Sequence, residues 1–215
     1  MSKILTELQT QMLKIIFDDK WFRENFYLTG GTALAAFYFH HRLSEDLDFF
    51  SHGVELKPIP KFFSEIEKKH HLKIESVKTS PYFHRYLIND ELKIDVVADI
   101  DFRVGSPKLI DDFMVDNLKN IAVNKVGTIL SRLEVKDYVD LYFILNNTGY
   151  DIFELMKLAQ QKDGGVEAFT WASLVADVKT LKLLPKMVKK LELKTLQAFF
   201  LALRDKILDA IRPKK

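Results

Sequence analysis

Two aspartates, Asp46 and Asp48, stand two residues apart in the run Asp-Leu-Asp-Phe-Phe. Side chains at i and i+2 of a β-strand point to the same face, so this spacing places the two carboxylates side by side. Neighbouring carboxylates repel each other unless a cation lies between them. The pair predicts a cation site, and Mg²⁺ held by carboxylates and substrate phosphates suits it. Taken alone, the same spacing also fits an ordinary pair on an edge strand.

A glycine pair precedes these aspartates by the length of a short helix. Gly30 and Gly31 follow an apolar segment, and Thr32 can cap a helix that runs to about residue 42. Glycine lets the backbone approach a ligand closely, and the first N–H groups of a helix bind phosphate. The turn therefore predicts a triphosphate site, although a turn that only needs positive φ would use glycine as well.

Two polar residues lie where the chain returns from that helix to the aspartates. Arg42 either contacts phosphate or forms an ion pair with Glu45 or Asp46, and Ser44 lies beside it. The sequence leaves both interpretations of Arg42 open.

A third acidic residue, Asp95, lies in the middle of the apolar segment Leu-Lys-Ile-Asp-Val-Val-Ala. An isolated carboxylate is costly to bury, and an ion pair or a metal would offset that cost. A two-Mg²⁺ site uses such acids to activate an attacking oxygen and to stabilise a leaving pyrophosphate. Asp95 is therefore the best candidate for the third acid.

A second group of charged residues follows further along the chain. Lys125 and Arg132 are seven residues apart and share one helical face, while Lys136 precedes Asp140 by four residues. One interpretation is two helices linked by ion pairs. The other places Lys125 and Arg132 over nucleotide phosphates, with Asp137 or Asp140 orienting them. The spacing favours neither.

Hydrophobic periodicity predicts the elements that position these residues. Helices are predicted over about residues 5–25, 32–42 and 60–71, and strands over 26–29, 47–50, 72–78, 82–89 and 92–98. Further helices are predicted over about 108–118, 120–131, 134–147, 151–162, 166–179 and 185–211. The predicted fold is α+β, with a small mixed β-sheet core and packed helices over residues 1–105 and a helical C-terminal domain over residues 106–215.

Composition excludes several classes of protein. The chain of 215 residues has no cysteine, which excludes disulfides and thiolate metal sites. No apolar run reaches about 18 residues and the N-terminus lacks a signal-peptide pattern, so a cytoplasmic location is expected. Residues 178–215 contain 11 Lys and Arg against 3 Asp and Glu, a net charge of +8, and the rest therefore carries −6. The basic end favours an anionic partner such as RNA, although a solvated lysine face fits it equally.

Two stretches of the chain resemble a known family. Residues 28–34 with 42–50 resemble the first motif of the AbiEii-type nucleotidyltransferases, which are toxins of type IV toxin–antitoxin and abortive-infection systems. Residues 125–132 with 136–142 resemble a later motif of that family. The resemblance spans about residues 25–145, and the region after about 150 is similar only in being helical.

The resemblance implies a polymerase-beta-like nucleotidyltransferase core and Mg²⁺-dependent transfer of a nucleotide. It implies that Lys125 and Asp137 or Asp140 match nucleotide-contacting and catalytic positions. The predicted catalytic residues are Asp46, Asp48, Asp95, Lys125, Asp137 and Asp140, and the predicted metal ligands are Asp46, Asp48 and Asp95. The predicted nucleotide-binding residues are Gly30, Gly31, Thr32, Arg42, Ser44, Lys125, Arg132 and Lys136.

The expected function is Mg²⁺-dependent transfer of a nucleotide from an NTP, with GTP and CTP as candidate donors, onto RNA such as tRNA. The resemblance implies a toxin with a cognate antitoxin; neither a membrane nor a DNA partner is expected. Two alternatives are a non-catalytic NTP-binding module on the same fold and a nucleotidyltransferase with a small-molecule acceptor.

Overall fold

The computed structural model describes residues 4–51, 53–99 and 102–213. The chain forms two compact units, one of residues 1–101 with 105–117 and the other of residues 102–104 with 118–215. The first unit therefore continues past residue 105, where the sequence places a domain boundary. The reason is that residues 108–115 belong to its sheet.

Within the described residues, the strands of the first unit form one seven-stranded mixed sheet. The strands are β1 (Phe26–Thr29), β2 (Asp46–Ser51), β3 (Ile74–Ser80), β4 (Phe83–Ile88), β5 (Leu92–Val97), β6 (Lys108–Ile110) and β7 (Phe113–Val115). Their order is β3-β4-β5-β2-β1-β7-β6. The β2–β5 and β1–β7 pairs are parallel and the other neighbouring pairs are antiparallel. The predicted α+β class is confirmed, and the five predicted strands are present with small shifts at their ends.

The predicted helix over residues 108–118 is wrong, because two short strands and a tight turn occupy most of it. Asp111 and Asp112 both have positive φ, at 47° and 69°. The β4–β5 turn is built in the same way, with Asn89 and Asp90 at φ 51° and 60°. Asn and Asp tolerate this left-handed conformation, which two-residue hairpin turns require. The predicted strands 82–89 and 92–98 are thus joined by a hairpin, while the matching signal at residues 111–112 was missed.

The helices of the first unit are α1 (Glu7–Asp18), α2 (Lys20–Asn25), α3 (Gly30–Leu34) and α4 (Ile59–His70). Asp19 divides the predicted helix 5–25, because its side chain accepts a hydrogen bond from Phe22 N at 2.8 Å and so starts α2. A π-helical segment, Ala35–Phe39, continues α3 and ends where His40 takes φ 52°. The predicted helix 32–42 therefore begins two residues earlier and ends three residues earlier than expected.

The second unit is helical, with α5 (Leu118–Ser131), α6 (Val135–Asn147), α7 (Ile152–Lys162), α8 (Ala168–Val175) and α9 (Leu193–Ile211). A 3-10 helix, Ala176–Thr180, follows α8. The predicted helix 185–211 is wrong over residues 185–192, which are not helical. The helices predicted around α5, α6 and α7 are confirmed within two residues.

Each unit has its own hydrophobic core. In the first, Phe22 stacks between Phe26 and Phe62 with ring centroids 4.4 and 5.0 Å apart. In the second, Trp171 is fully buried and its indole Nε1 donates to Val126 O at 3.0 Å. Truncating a buried aromatic side chain of this size costs about 3–5 kcal/mol, so these side chains hold the elements in place.

Candidate functional site

Strand register places the predicted acidic residues in one row across the centre of the sheet. Asp48 on β2 is the partner of Thr29 on β1 and of Asp95 on β5, and Asp95 is in turn the partner of Arg85 on β4. Paired residues of neighbouring strands project from the same face. Alternation along β2 buries Leu47 and leaves Asp48 half-buried on that face. The row therefore brings together two aspartates that are 47 residues apart in the chain.

Two basic side chains pair with acids on this face. Lys93, the register partner of Asp46, places its Nζ 2.7 Å from Asp46 Oδ2. Arg85 donates from Nε and from Nη2 to the two oxygens of Asp95, each at 2.7 Å. Opposite charges placed across neighbouring strands offset the repulsion that adjacent carboxylates would otherwise cause. Neither basic residue was predicted as part of the site.

The neighbouring carboxylates raise the pKa of Arg85. Its hydrogen bonds to Asp95 raise that pKa above the ordinary value, against the lowering effect of partial burial, and the charges of Asp95, Asp46 and Asp48 add to the rise. Arg85 therefore lies within electrostatic reach of all three carboxylates.

Both its backbone conformation and its neighbour require glycine at position 30. Its φ is 71°, and a Cβ at this position would lie 2.5 Å from Asp48 Oδ2. A side chain here would therefore be strained and would also collide with the carboxylate. The positive φ that the sequence offered as a second reason for glycine is present, and the turn also lies directly against Asp48, a predicted metal ligand.

Gly31 makes room for Arg42 in the same way. A Cβ on Gly31 would overlap Arg42 Nη2 and would lie 3.4 Å from Ser44 Oγ. The Arg42 side chain is buried and donates from Nη1 to Leu43 O at 2.9 Å. The structure thus brings both glycines together with Arg42 and Ser44, as the sequence predicted. Phosphate contact by Arg42 and Ser44 stays a prediction.

Thr32 joins α3 to the strand that carries the aspartates. Its hydroxyl donates to the backbone oxygen of Asp46. The helix begins at Gly30, so Thr32 lies in its first turn and the predicted capping role is wrong. The contact fixes the glycine turn relative to Asp46, which is a positioning role that spacing alone does not reveal.

A fully buried acid beside the glycine turn, Asp116, was not predicted from the sequence. Thr29 Oγ1 donates to Asp116 Oδ2 at 2.7 Å, and Tyr38 Oη donates to its backbone oxygen at 2.6 Å. Asp116 N also donates to Leu28 O at 2.8 Å, which continues the pairing of β7 with β1. These bonds hold the end of β1, where the turn begins. The hairpin at residues 111–112 was the signal that could have found it.

A side chain on α1 holds the segment before β2. Gln9 donates from Nε2 to Ser44 O at 2.9 Å, and its Oε1 accepts from Thr6 N at 2.9 Å in a capping box. Gln9 is buried, so this link is shielded from water. It positions residue 44 next to the glycine turn.

The second predicted cluster lies in the second unit, and three of its members, Lys125, Asp137 and Asp140, are buried. Lys125 Nζ lies 2.7 Å from Asp137 Oδ1 and 2.6 Å from Asp140 Oδ2, with side-chain exposures of 6%, 0% and 0%. Arg132 donates from Nε to Asp137 Oδ2 at 2.8 Å and is 43% exposed. Of the two interpretations that the spacing left open, ion pairs between helices are present here. The charges of two basic and two acidic residues balance.

The basic partners lower the pKa of Asp137. Burial by itself would raise that pKa, but Lys125 and Arg132 outweigh burial and hold the pKa below its ordinary value. Lys136, also predicted here, pairs with Glu134 at 3.0 Å. Contact of Lys125, Arg132 and Lys136 with a nucleotide stays a prediction.

The donor set on the sheet can be compared with what a metal ion needs. Within the described residues, no group of three or more histidine, aspartate or glutamate side chains is arranged to hold a metal ion. Mg²⁺ is commonly bound by one or two carboxylates, with water and substrate phosphates completing the shell. Asp46 and Asp48 fit that smaller requirement. Asp95 as a third ligand stays a prediction, since Arg85 engages both of its oxygens.

A comparison with protein families decides the family. Residues 12–212 match the family described as "Nucleotidyl transferase AbiEii toxin, Type IV TA system". This chain belongs to the AbiEii family. The resemblance predicted from residues 25–145 is confirmed, and the match also includes the helical second unit.

AbiEii family membership is accompanied by more distant similarities. The chain is 30% identical over 158 residues to the uncharacterized protein aq_aa25 of Aquifex aeolicus (strain VF5), covering 64% of this chain and 66% of that one. It therefore spans just under two thirds of that relative's length. The fold is similar to JHP933 from Helicobacter pylori, with a TM-score of 0.61, 19% identity and coverage of 95% and 90% of the two chains. It is also similar to a proposed nucleotidyltransferase from H. pylori, with a TM-score of 0.58, 18% identity and coverage of 97% and 100%.

None of the helices in the part of this AbiEii chain that the structure describes is both long enough and apolar enough to cross a membrane. The longest, α9, has 19 residues but carries charged side chains along its length.

Proposed function

We propose that this chain transfers a nucleotide from an NTP onto an acceptor, as the toxin of a type IV toxin–antitoxin system. The observation that carries the proposal is the contact between the glycine turn and the acidic row. Gly30 lies directly against the carboxylate of Asp48, and Asp48 shares its face with Asp46. A phosphate turn and a carboxylate pair thus adjoin each other, as metal-assisted chemistry on a triphosphate requires.

The carboxylate pair, the glycine turn and Arg42 have separate proposed tasks. Asp46 and Asp48 would hold Mg²⁺, which when bound would polarise the reacting phosphate and offset the charge of the leaving pyrophosphate. The backbone N–H groups of the turn at Gly30 and Gly31 would bind the triphosphate. Arg42, fixed against Gly31, would add a cation beside that turn.

We also propose a task for the second cluster. Arg132 is 43% exposed while Lys125 is 6% exposed, so Arg132 is the better placed of the two to contact a phosphate. Lys125, Asp137 and Asp140 would then hold Arg132 and the α5–α6 pair in a fixed arrangement. Both acidic side chains are unexposed; Asp137 accepts from Lys125 and Arg132, and Asp140 pairs with Lys125.

RNA, with tRNA as the first candidate, is the proposed acceptor because of the charge distribution. The residues between the 3-10 helix and α9 are basic and include the exposed lysines Lys182, Lys186, Lys189 and Lys190. Neutralising phosphates with lysine makes binding strongly salt-dependent. Family membership supports a cognate antitoxin as a protein partner.

The proposal is tested by incubating the purified chain with Mg²⁺, total RNA and each of the four NTPs labelled at the α-phosphate. We expect label to enter RNA in the parent and to be lost in Asp46→Asn and in Asp48→Asn. Asp112→Asn is the matched control, since it removes an exposed carboxylate at a turn where asparagine is tolerated.

Three results would contradict the proposal. Binding of NTP and Mg²⁺ without transfer from any of the four nucleotides would favour a non-catalytic binding module. Transfer that persists in both aspartate variants would exclude the proposed site. Transfer to a small molecule, unaffected by salt and by the replacement of Lys186, Lys189 and Lys190, would exclude RNA as the acceptor.

A further inference from the structure

Arg85 is held in a fixed orientation next to the acidic row. Its Nε and Nη2 groups donate to the two oxygens of Asp95 at 2.7 Å each, which is the bidentate geometry of a strong arginine–carboxylate pair. A second contact comes from Phe83, whose ring centroid lies 5.3 Å from the guanidinium carbon. A carboxylate and an aromatic ring therefore both restrict the side chain.

The two members of this pair differ in their access to solvent. The side chain of Arg85 is 38% exposed, whereas that of Asp95 is 10% exposed. A guanidinium has five N–H donors, and Asp95 accounts for two of them. Arg85 can therefore accept a further anionic partner while its contact with Asp95 is kept.

The position of Arg85 favours a phosphate of the substrate as that anion. Arg85 is two strands away from Asp48 in the same register row, and it lies within electrostatic reach of Asp46 and Asp48. A triphosphate attached to a cation at the Asp46–Asp48 pair would extend over this face. Arginine is suited to binding phosphate because its planar fork makes two hydrogen bonds and keeps its charge.

We propose that Arg85 binds a phosphate of the nucleotide, and that Asp95 is a residue that positions Arg85 and does not ligate the metal. This inference rests on the proposed function, because it requires a nucleotide at the Asp46–Asp48 pair. It gives Asp95 a task that explains why a carboxylate lies in the middle of an apolar strand. It also gives the row a direction, with the metal at one end and the phosphate ligand at the other.

The first arm of the test measures binding of Mn²⁺ alone by electron paramagnetic resonance. The double variant Arg85→Met with Asp95→Asn removes one positive and one negative charge together, so the field at Asp46 and Asp48 is preserved. We expect its Mn²⁺ affinity to stay within about threefold of the parent, while Asp46→Asn loses at least about tenfold.

The second arm measures binding of inorganic triphosphate in the presence of saturating Mn²⁺ by calorimetry. We expect Arg85→Met to weaken binding by about tenfold or more, and Arg85→Lys and Asp95→Asn to weaken it less. Lys73→Met is the matched control. Like Arg85, Lys73 is a basic residue that pairs with an aspartate at 2.7 Å, but its partner is Asp90 at the β4–β5 turn.

Thermal unfolding of every variant separates binding from folding. A merely structural role would lower the melting temperature and leave triphosphate affinity unchanged in the variants that remain folded, and that result would overturn the inference. Loss of Mn²⁺ binding in the double variant equal to that in Asp46→Asn would also overturn it, because Asp95 would then be a metal ligand. Failure of the parent to bind Mn²⁺ would instead overturn the proposed function itself.

Discussion

The two charged clusters of this chain contain the same kinds of side chain at the same distances, yet they differ in their access to water. On the sheet, Lys93 pairs with Asp46 at 2.7 Å with exposures of 33% and 26%. Between α5 and α6, Lys125 pairs with Asp137 at 2.7 Å with exposures of 6% and 0%. Removing one partner of a buried pair leaves a charge without compensation, whereas an exposed pair can exchange its partner for a ligand. We infer that the first cluster serves ligand binding and that the second serves mainly stability.

The largest expected effect follows from removing the buried cation. Lys125→Met removes the cation that pairs with both Asp137 and Asp140 while the two carboxylates stay buried, so we expect the free energy of unfolding to fall by about 3–5 kcal/mol. Urea unfolding measures the change. A loss below about 1 kcal/mol would mean that the cluster does not contribute to stability as the comparison requires.

The next largest effect concerns the glycine turn. Gly30→Ala adds strain at φ 71° and a collision with Asp48, whereas Gly53→Ala adds strain at φ 74° with no atom within 4 Å. The strain costs about 1–2 kcal/mol in each variant, and the collision adds about 1–3 kcal/mol to the first alone. Differential scanning calorimetry compares the two variants. Equal melting temperatures and equal nucleotide transfer would show that Asp48 does not lie against the turn.

A smaller effect on stability is expected at low pH. The pKa of Asp137 in the folded chain lies below its ordinary value of 3.8, so its contribution to stability is present above about pH 4 and is lost as the pH falls through the folded-state value. Arg132→Gln removes one of the two cations that lower this pKa. We therefore expect acid unfolding of that variant to occur at a higher pH than in the parent.

Circular dichroism as a function of pH checks this shift. Arg23→Gln, which removes an exposed arginine in the last turn of α2, serves as the control and should leave the midpoint unchanged. An acid midpoint for Arg132→Gln equal to or below that of the parent would contradict the assignment.

The smallest effect on stability is expected for the half-buried Lys93–Asp46 pair on the sheet. Lys93→Met should change the free energy of unfolding by less than about 1 kcal/mol, because the Lys93–Asp46 pair is partly hydrated. The same change should strengthen binding of Mn²⁺ alone, since Lys93 would no longer compete for the Asp46 carboxylate. A large loss of stability, or weaker Mn²⁺ binding, would remove the distinction between the two clusters.

Local patterns in the sequence were enough to predict that the glycine turn lies close to the Asp46–Asp48 pair. The alternation around Asp46 and Asp48 and the glycine turn before them are local signals, and the structure brings these residues together. Strands β1 to β5 were predicted for the same reason. β1, β2, β4 and β5 each have a buried face bounded by turn residues, whereas β3 is mostly exposed.

What the sequence could not supply was the pairing between distant strands. Arg85 belongs to the site only because β4 lies beside β5 in a register that sets it opposite Asp95. Asp116 was not recognised because a helix was wrongly predicted over residues 108–118. β6 and β7 have three residues each and are too short to show the alternation of a strand. Burial of the Lys125 cluster likewise depends on packing that spacing does not determine.

Transfer of a nucleotidyl group by this chain is tested most directly by the fate of the label from a single NTP. Parallel reactions would use the same NTP labelled at the α-phosphate or at the γ-phosphate, with RNA and Mg²⁺, for the parent and for Asp48→Asn. We predict α-label in the RNA and γ-label in pyrophosphate for the parent, and neither for the variant. The contradicting result is γ-label in the RNA, or transfer by Asp48→Asn at the rate of the parent.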